Sequence, residues 1–239
     1  MNSLLCGKRS TIFYAMIDAH VHVTGELLPY LRDVRCIANA DSPEEYRFLK
    51  SSGLPVISAG IHPWKADVTD WSAMEPILRA VPVIGEIGLD CVWCDVDMDV
   101  QRKAFHRQLA LAAQLGKPVI LHTKGMEREI LDTIRQYPNR YLVHWYSCDA
   151  YLQEYIELGC WFTAGPDVRR DVAQQVPIDR LLIESDGLEA IAWAKGQEVP
   201  GEDYSMIMRE ILHETAALRN IDPNELLRQM EENLKSFLK

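Results

Sequence analysis

Short apolar runs alternate with longer amphipathic stretches along the chain, starting near residue 16. The short runs predict buried strands, whereas apolar residues spaced three or four positions apart in the longer stretches predict helices. The predicted strands cover 15–19, 34–38, 55–59, 81–87, 118–121, 140–143, 160–163 and 180–183. The predicted helices cover 42–52, 70–80, 98–115, a stretch ending at 136, 149–158, 169–175, 203–218 and 222–238.

Two of the predicted helices have boundary signals of known physical origin. Ser42 is followed by proline and two glutamates, a sequence in which a capping hydroxyl and an acidic first turn favour a helix start. In the helix over 98–115, apolar residues such as Phe105 and Leu109 recur at helical spacing. Gly116 follows that helix and is typical of a helix end.

The alternation of strands with helices indicates a parallel sheet, and eight strands within 239 residues predict a closed (β/α)₈ TIM barrel. The competing fold is a doubly wound open sheet. No glycine-rich phosphate-binding turn follows the first strand, which disfavours that fold. We therefore predict a single barrel domain over 16–239, preceded by an N-terminal extension over 1–15, with Met16 as a conceivable alternative translation start.

Composition and charge narrow the function. The chain is 48% hydrophobic and carries a formal net charge of −10, so it has no long-range attraction for nucleic acid, although bound cations would offset part of that charge. No apolar run is long enough to span a bilayer, and the first fifteen residues do not resemble a secretory signal. We expect a cytoplasmic protein that does not contact membranes.

The six cysteines agree with that expectation. In a chain of this size they predict reduced thiols rather than a disulfide framework. Cys91 and Cys94 form one C-x-x-C pair, but the further features of a redox or zinc site are missing. We interpret them as two thiols in a loop.

Polar residues stand where the predicted strands end. They are His20, His22, His62, Glu86, His122, His144 and Asp186. All strands of a (β/α)₈ barrel run in the same direction, so these side chains are expected to meet at one mouth, which is where the active sites of such barrels lie. Five of the seven histidines in the chain occupy such positions, a clustering that scattered structural histidines would not produce.

Imidazoles joined by carboxylates are ligands suited to Zn²⁺, Mn²⁺ or a similar divalent ion. Glu86 and Asp186 follow apolar strands, and a buried acid there is costly unless a cation or strong hydrogen bonds compensate it. Asp18, Asp90 and Glu184 are weaker candidates, each predicted to hold an imidazole N–H group.

The residues around these positions resemble the TatD family of metal-dependent deoxyribonucleases, a branch of the amidohydrolase-like barrels. The resembling segments are 17–22, 60–63, 84–90, 118–122, 143–144 and 181–186, and they occur in the family order. The C-terminal residues Asn233 and Phe237 are also similar to those of the family's last helix. The resemblance implies a hydrolase with two divalent cations.

In that scheme His20, His22 and Asp186 hold one ion, His122 and His144 hold the other, and Glu86 bridges the two. A water activated by the metals attacks, and Asp186 accepts its proton. His62 and Lys124 are the candidates for contacting a phosphate.

The pocket positions depart from the family pattern. Cys91 stands where an aromatic residue is usual, and Lys124 stands where an arginine is usual, which keeps the charge but loses the bidentate fork. Further departures are Trp145-Tyr146 for Cys-Phe, Ser185 and Gly187 for Thr and Pro, and the whole of 187–203. The implied chemistry is therefore better determined than the substrate.

The leading hypothesis is phosphodiester hydrolysis at DNA or RNA ends by a monomer or small homo-oligomer. Trp145, Trp161 and Trp193 are candidates for stacking a base, with core packing as the alternative. A second hypothesis keeps the metals but hydrolyses a small amide, lactone or phosphate ester. A third treats the barrel as a non-enzymatic scaffold, which the retained ligand positions disfavour.

Overall fold

The computed structural model describes residues 15–239, so the predicted extension over 1–15 lies, except for Ala15, outside the described residues. Within 15–239 the strands form one parallel sheet in the order β1 to β8. Their bounds are β1 Met16–His22, β2 Val34–Ala40, β3 Ile57–Ala59, β4 Val83–Asp90, β5 Val119–Lys124, β6 Tyr141–Val143, β7 Trp161–Ala164 and β8 Leu181–Ile183. The predicted (β/α)₈ fold is confirmed.

Helices connect the strands and follow the last one. They are α1 Pro43–Ser52, α2 Trp71–Ala80, α3 Met98–Leu115, α4 Glu127–Ile134, α5 Leu152–Glu157, α6 Arg170–Gln175, α7 Leu188–Lys195, α8 Tyr204–Arg219 and α9 Pro223–Leu238. Short 3₁₀ turns occupy Leu28–Leu31, Pro63–Lys65, Ile178–Arg180 and Gly201–Asp203. Across 15–239, no helix is both long and apolar enough to cross a membrane.

The predicted helix signals act as expected. The Ser42 hydroxyl accepts the Glu45 N–H at 3.2 Å and begins α1, while Gly116 ends α3 with a φ of 64°. Phe105 and Leu109 of α3 are buried against the sheet. The five cysteines of the described chain are free thiols, in agreement with the expected reduced set.

Helix α7 was not predicted. It follows β8 directly, is only eight residues long, and buries Leu188 and Ile191 while the side chain of Trp193 stays exposed. The segment has a high apolar content without a strong polar face, so its periodicity gives no helical signal. Packing of Leu188 and Ile191 against the barrel determines the structure there.

Three strands extend three residues beyond the ends that their apolar runs predict. β1 continues to His22, β4 to Asp90 and β5 to Lys124. The parallel pairing continues through these polar ends, with His22 opposite Asn39 and Gly88 opposite His122. The prediction ends each of these strands with its apolar run, but the hydrogen bonds between neighbouring strands continue beyond that run. Strand backbone therefore carries the candidate residues His20, His22, Glu86, His122 and Lys124, whereas His62, His144 and Asp186 lie in the segments after β3, β6 and β8.

The seam between β8 and β1 is closed by backbone and side-chain bonds. The Asp186 N–H donates to the His20 carbonyl at 3.1 Å. One β1 carboxylate, that of Asp18, accepts the Ser185 N–H at 2.9 Å, the Ser185 hydroxyl at 2.5 Å and the Tyr204 hydroxyl at 2.8 Å. Asp18 thus ties β1 to the end of β8 and to α8.

Asp18 is fully buried, and this burial raises its pKa from 3.8 to about 7 despite the hydrogen bonds from Ser185 and Tyr204. The folded state therefore holds a proton on this group more tightly than the unfolded chain does. The stability that Asp18 contributes is present at low pH and declines as pH rises from about 4 to 7.

We expect Asp18→Ala to lower the free energy of unfolding by about 2–4 kcal/mol at pH 5, because the buried Ser185 N–H and the buried hydroxyls of Ser185 and Tyr204 lose their hydrogen-bond partner. The loss is smaller at pH 8, where the buried carboxylate of the parent is charged. Urea unfolding at both pH values measures it, with exposed Asp33→Ala as the control, expected to stay within about 0.5 kcal/mol. Equal stability of parent and D18A at pH 5 contradicts this account of the seam.

Candidate metal centre

Glu86, at the middle of β4, lies at the centre of the barrel mouth. Its Oε2 is 3.2 Å from His20 Nε2 and 3.3 Å from His22 Nε2. Its Oε1 is 2.6 Å from both His122 Nδ1 and His144 Nε2. One buried carboxylate therefore meets four imidazoles that come from β1, from β5 and from the residue after β6.

Asp186 supplies a second carboxylate on one side of this centre. Its Oδ1 lies 3.3 Å from His20 Nε2 and 3.7 Å from His22 Nε2. Its backbone has a φ of 59°, a left-handed conformation that few residues other than glycine adopt. Strain of this kind is maintained by surrounding structure and is frequent at functional sites. Here the backbone bond to His20 and the Asp18–Ser185 contacts hold the turn in place.

His122 is oriented by the carboxylate of Asp90, as predicted. His122 Nε2 is 3.0 Å from Asp90 Oδ2, which leaves Nδ1 facing Glu86. Asp90 also accepts the Trp64 indole N–H at 2.6 Å and the backbone N–H groups of Val92 and Trp93 at 2.8 Å. These bonds fix the carboxylate and lower its pKa although burial opposes its ionisation. The imidazole therefore has one available nitrogen lone pair, directed at the centre.

The other two predicted supporting carboxylates differ. Glu184 Oε1 lies 3.6 Å from His144 Nδ1, too long for a hydrogen bond, and accepts the Trp145 N–H at 2.7 Å. The prediction that Asp18 holds an imidazole N–H is wrong, because Asp18 bonds to Ser185 and Tyr204. Strict alternation along β1 would place the side chains of Asp18 and His20 on the same face. The pairing of β1 with β2 is irregular between Asp18 and Val21, and the two side chains contact different groups.

His62 joins the centre from the turn after β3. Its Nε2 is 3.4 Å from Glu86 Oε1 and 3.3 Å from His122 Nδ1. Its Nδ1 accepts the Trp64 backbone N–H at 3.2 Å. Lys124, two residues beyond His122 in β5, donates instead to the Ser147 hydroxyl at 2.9 Å and to the Trp145 carbonyl at 3.3 Å. It contributes positive charge at the edge of the mouth.

The electrostatics of the centre favour bound positive charge. Burial opposes the ionisation of Glu86, but the imidazoles of His144, His62 and His122 outweigh it and hold its pKa well below the usual value. Burial likewise opposes charge on His22 and His144, yet the neighbouring carboxylates raise the pKa of each to about 9. The carboxylates of the centre are thus stabilised by positively charged neighbours.

The donor atoms fall into two groups that suit divalent cations. His20, His22, Glu86 and Asp186 form one group, and His62, Glu86 and His122 form the other, with the ligand atoms of each group within 4.8 Å of one another. Mixed imidazole and carboxylate donors are the chemistry that Zn²⁺ and Mn²⁺ accept. The residues present therefore fit the binding of divalent cations at the barrel mouth, and Glu86 belongs to both groups. The second group contains His62, which the resemblance assigned to phosphate contact, and it does not include His144, which the resemblance assigned to this ion, although His144 Nε2 lies 2.6 Å from Glu86 Oε1.

Two glycines allow the strands of the centre to approach closely. A Cβ on Gly88 would lie 1.9 Å from the His122 carbonyl oxygen, and one on Gly60 would lie 2.3 Å from the Glu86 carbonyl oxygen. Any larger residue would push these backbones apart. Glycine at both positions is thus a condition for bringing Glu86, His62 and His122 together.

Sequence reasoning missed two residues next to the candidate metal-binding side chains. Asp41, buried at the end of β2, lies 3.9 Å from His22 Nδ1, and the rule of polar residues at strand ends applies to it as well. Trp64 bonds to Asp90, and its position directly after the His62-Pro63 pair was the available signal. Of the three predicted tryptophans, Trp145 and Trp161 are buried, which agrees with packing, and only Trp193 is exposed.

The fold and the centre define a (β/α)₈ barrel of the kind that holds divalent cations at its mouth. A sequence model of the family described as TatD related DNase matches residues 17–239. The chain belongs to this family.

Individual relatives agree with that membership. The chain is 34% identical over 151 residues to the 3′-5′ ssDNA/RNA exonuclease TatD of Edwardsiella piscicida, a match covering 54% of this chain and 56% of the relative. It is 25% identical over 254 residues to the uncharacterized metal-dependent hydrolase YcfH of Escherichia coli K12, covering 91% and 93%. Among the first three curated relatives, the match spans 56–60% of their length.

A solved structure shares the fold. The crystal structure of YJJV, a TatD homologue from Escherichia coli, superposes with a TM-score of 0.78 at 21% identity, covering 93% of this chain and 97% of that one.

We expect Gly88→Ala to destabilise the fold by more than about 2 kcal/mol, since its methyl group would overlap the His122 carbonyl. Thermal unfolding measures the loss. Gly25→Ala is the matched control, because nothing lies within 4 Å of a Cβ there and its φ is not left-handed. A G88A protein as stable as the parent contradicts the close approach of β4 and β5.

Proposed function

We propose that the protein hydrolyses phosphodiester bonds at the ends of nucleic acid strands, with two divalent cations at the barrel mouth. The observation that carries the proposal is the contact of the Glu86 carboxylate with four imidazoles. The named exonuclease activity of the Edwardsiella relative supports this substrate class.

In this proposal His20, His22 and Asp186 would hold one ion, His122 and His144 would hold the other, and Glu86 would contribute to both sites. When bound, the cations lower the pKa of a water and neutralise charge that develops on a phosphoryl oxygen. Zn²⁺, Mn²⁺ and Mg²⁺ are the ions to test. The pair also offsets part of the net charge of −10, which otherwise repels a polyanion.

Asp186 is the residue proposed to take the proton of the attacking water. Its side chain is 19% exposed, whereas those of Glu86, Asp90 and Glu184 are at most 2% exposed. A water can therefore reach this carboxylate. Burial opposes the ionisation of Asp186, but the imidazoles of His20, His144 and His22 outweigh it and lower the pKa of this group, so it is ionised and able to accept a proton at neutral pH.

His62 and Lys124 are proposed to bind the phosphate rather than a metal. Because His62 Nδ1 accepts the Trp64 N–H, the other ring nitrogen, Nε2, is the one assigned a proton, and it faces the centre as a donor. A ring in that state donates to a phosphoryl oxygen and does not offer a lone pair to a cation. The Lys124 ammonium adds positive charge at the same rim.

The acidic surface favours short or single-stranded ends over long duplex DNA, because tight duplex binding rests on clustered basic residues. We also propose that the protein acts in the cytoplasm, as a monomer or small homo-oligomer. The division into an extension over 1–15 and a single domain over 16–239 likewise stays a prediction.

We expect Asp186→Asn to lower kcat by about 10²–10⁴-fold, since an amide cannot accept the proton. The far-UV circular dichroism spectrum should stay unchanged. The assay is cleavage of a labelled single-stranded oligonucleotide with Zn²⁺, Mn²⁺ or Mg²⁺ added in turn. Exposed Glu189→Gln, three residues further along, is the control and should keep parental activity.

Activity of D186N within a few-fold of the parent rules out that role for Asp186. If the metal-loaded parent cleaves no oligonucleotide but does hydrolyse a small amide, lactone or phosphate ester, the substrate proposed here is wrong.

A further inference from the structure

Two exposed tryptophans line a cavity beside the centre. Trp64 is 51% exposed and Trp93 is 59% exposed, although indole is among the side chains that gain most from burial. Together with Asp67, Cys94, Asp95 and Val96 they line an open cavity of about 330 Å³. That volume lies within the range of roughly 300–1,000 Å³ found for small-molecule sites.

The Trp64 ring is held rigidly next to the catalytic centre. Its indole N–H donates to Asp90 Oδ2 at 2.6 Å, and the same oxygen lies 3.0 Å from His122 Nε2. The ring centroid is 5.1 Å from that of His62 and 6.4 Å from that of His122. A ligand stacked on the Trp64 ring therefore lies close to a group that contacts His62.

The Trp93 wall is supported from outside the cavity. Its ring packs edge-on against Trp193 at a centroid distance of 6.2 Å, and Trp193 packs edge-on against buried Trp145 at 6.1 Å. The backbone N–H of Trp93 donates to Asp90 Oδ1 at 2.8 Å. Asp90 thus fixes the segments that carry both tryptophans.

Charge decides which part of a nucleotide the cavity takes. Its lining contains two exposed carboxylates, Asp67 and Asp95, and neither lysine nor arginine. A phosphate would be repelled there, whereas a nucleobase is uncharged and has a flat apolar face for stacking. The phosphate-binding groups proposed above, His62 and Lys124, lie on the side of the metal centre.

We propose that this cavity, lined by Trp64 and Trp93, binds the unpaired nucleobase of the nucleotide whose phosphodiester bond is cleaved. The inference rests on the proposed function, since it takes the substrate to be a nucleic acid end. The base must leave a duplex to enter, so the cavity selects single-stranded or frayed ends. Trp64 and Trp93 stack the base while the neighbouring phosphate lies at His62.

The test compares a single-stranded oligonucleotide with the same oligonucleotide carrying abasic nucleotides at both ends. We expect Trp93→Ala to lower kcat/KM on the first by about tenfold or more, mainly through KM, because stacking is lost. On the abasic substrate W93A and the parent should agree within about twofold. The control is Val92→Ala, which trims an exposed neighbour outside the cavity lining and should match the parent on both substrates.

An equal loss on both substrates, or no loss on either, overturns the base site while leaving the hydrolase proposal standing. If the metal-loaded parent cleaves neither oligonucleotide, the proposed function fails, and calorimetric binding then judges the cavity separately. The parent should bind deoxyadenosine monophosphate about tenfold more tightly than W93A does, with no such difference for deoxyribose 5-phosphate. Equal affinities of parent and W93A for the nucleotide contradict the inference.

Discussion

The contact of one carboxylate with four imidazoles is the interaction on which the rest of the mouth depends. Glu86 is 2% exposed, and its charge in that environment is tolerable only because positive or metallic partners surround it. The four histidines come from three separate parts of the chain, β1, β5 and the residue after β6, so the contact requires the barrel to be correctly assembled. The site therefore forms only in the folded barrel.

Close approach of backbones is the second requirement. Gly88 and Gly60 let the strands bearing Glu86, His122 and His62 come together without a Cβ between them. Asp18 draws the end of β8 onto β1 and so places Asp186 against His20. Residues that contact no substrate thus set the positions of those proposed to do so.

Much of the barrel mouth was predictable from the sequence. All strands of a (β/α)₈ barrel run in the same direction, so residues at their carboxyl ends meet at one mouth. The order of the strands and the meeting of Glu86 with the histidines followed from that rule. Helix α7 did not, since Leu188 and Ile191 are ordered by packing rather than by periodicity. The partners of Asp18 were also missed, because a register irregularity in β1 redirects a side chain in a way that strict alternation does not predict.

The proximity of Trp64 and Trp93 was recognisable only from the tertiary structure. Nothing in their spacing indicates that they line one cavity, and their common anchor, Asp90, is recognisable only once His122 is in place. The structure places Trp64 and Trp93 next to the imidazole and carboxylate donors that surround Glu86.

Metal stoichiometry tests the central claim most directly. Elemental analysis of the purified parent after equilibration with Zn²⁺ or Mn²⁺ and removal of free ion should give two ions per chain, and Glu86→Gln should give at most one. Two ions retained by E86Q, or none bound by the parent, would contradict the role of Glu86 as the group that both ions share.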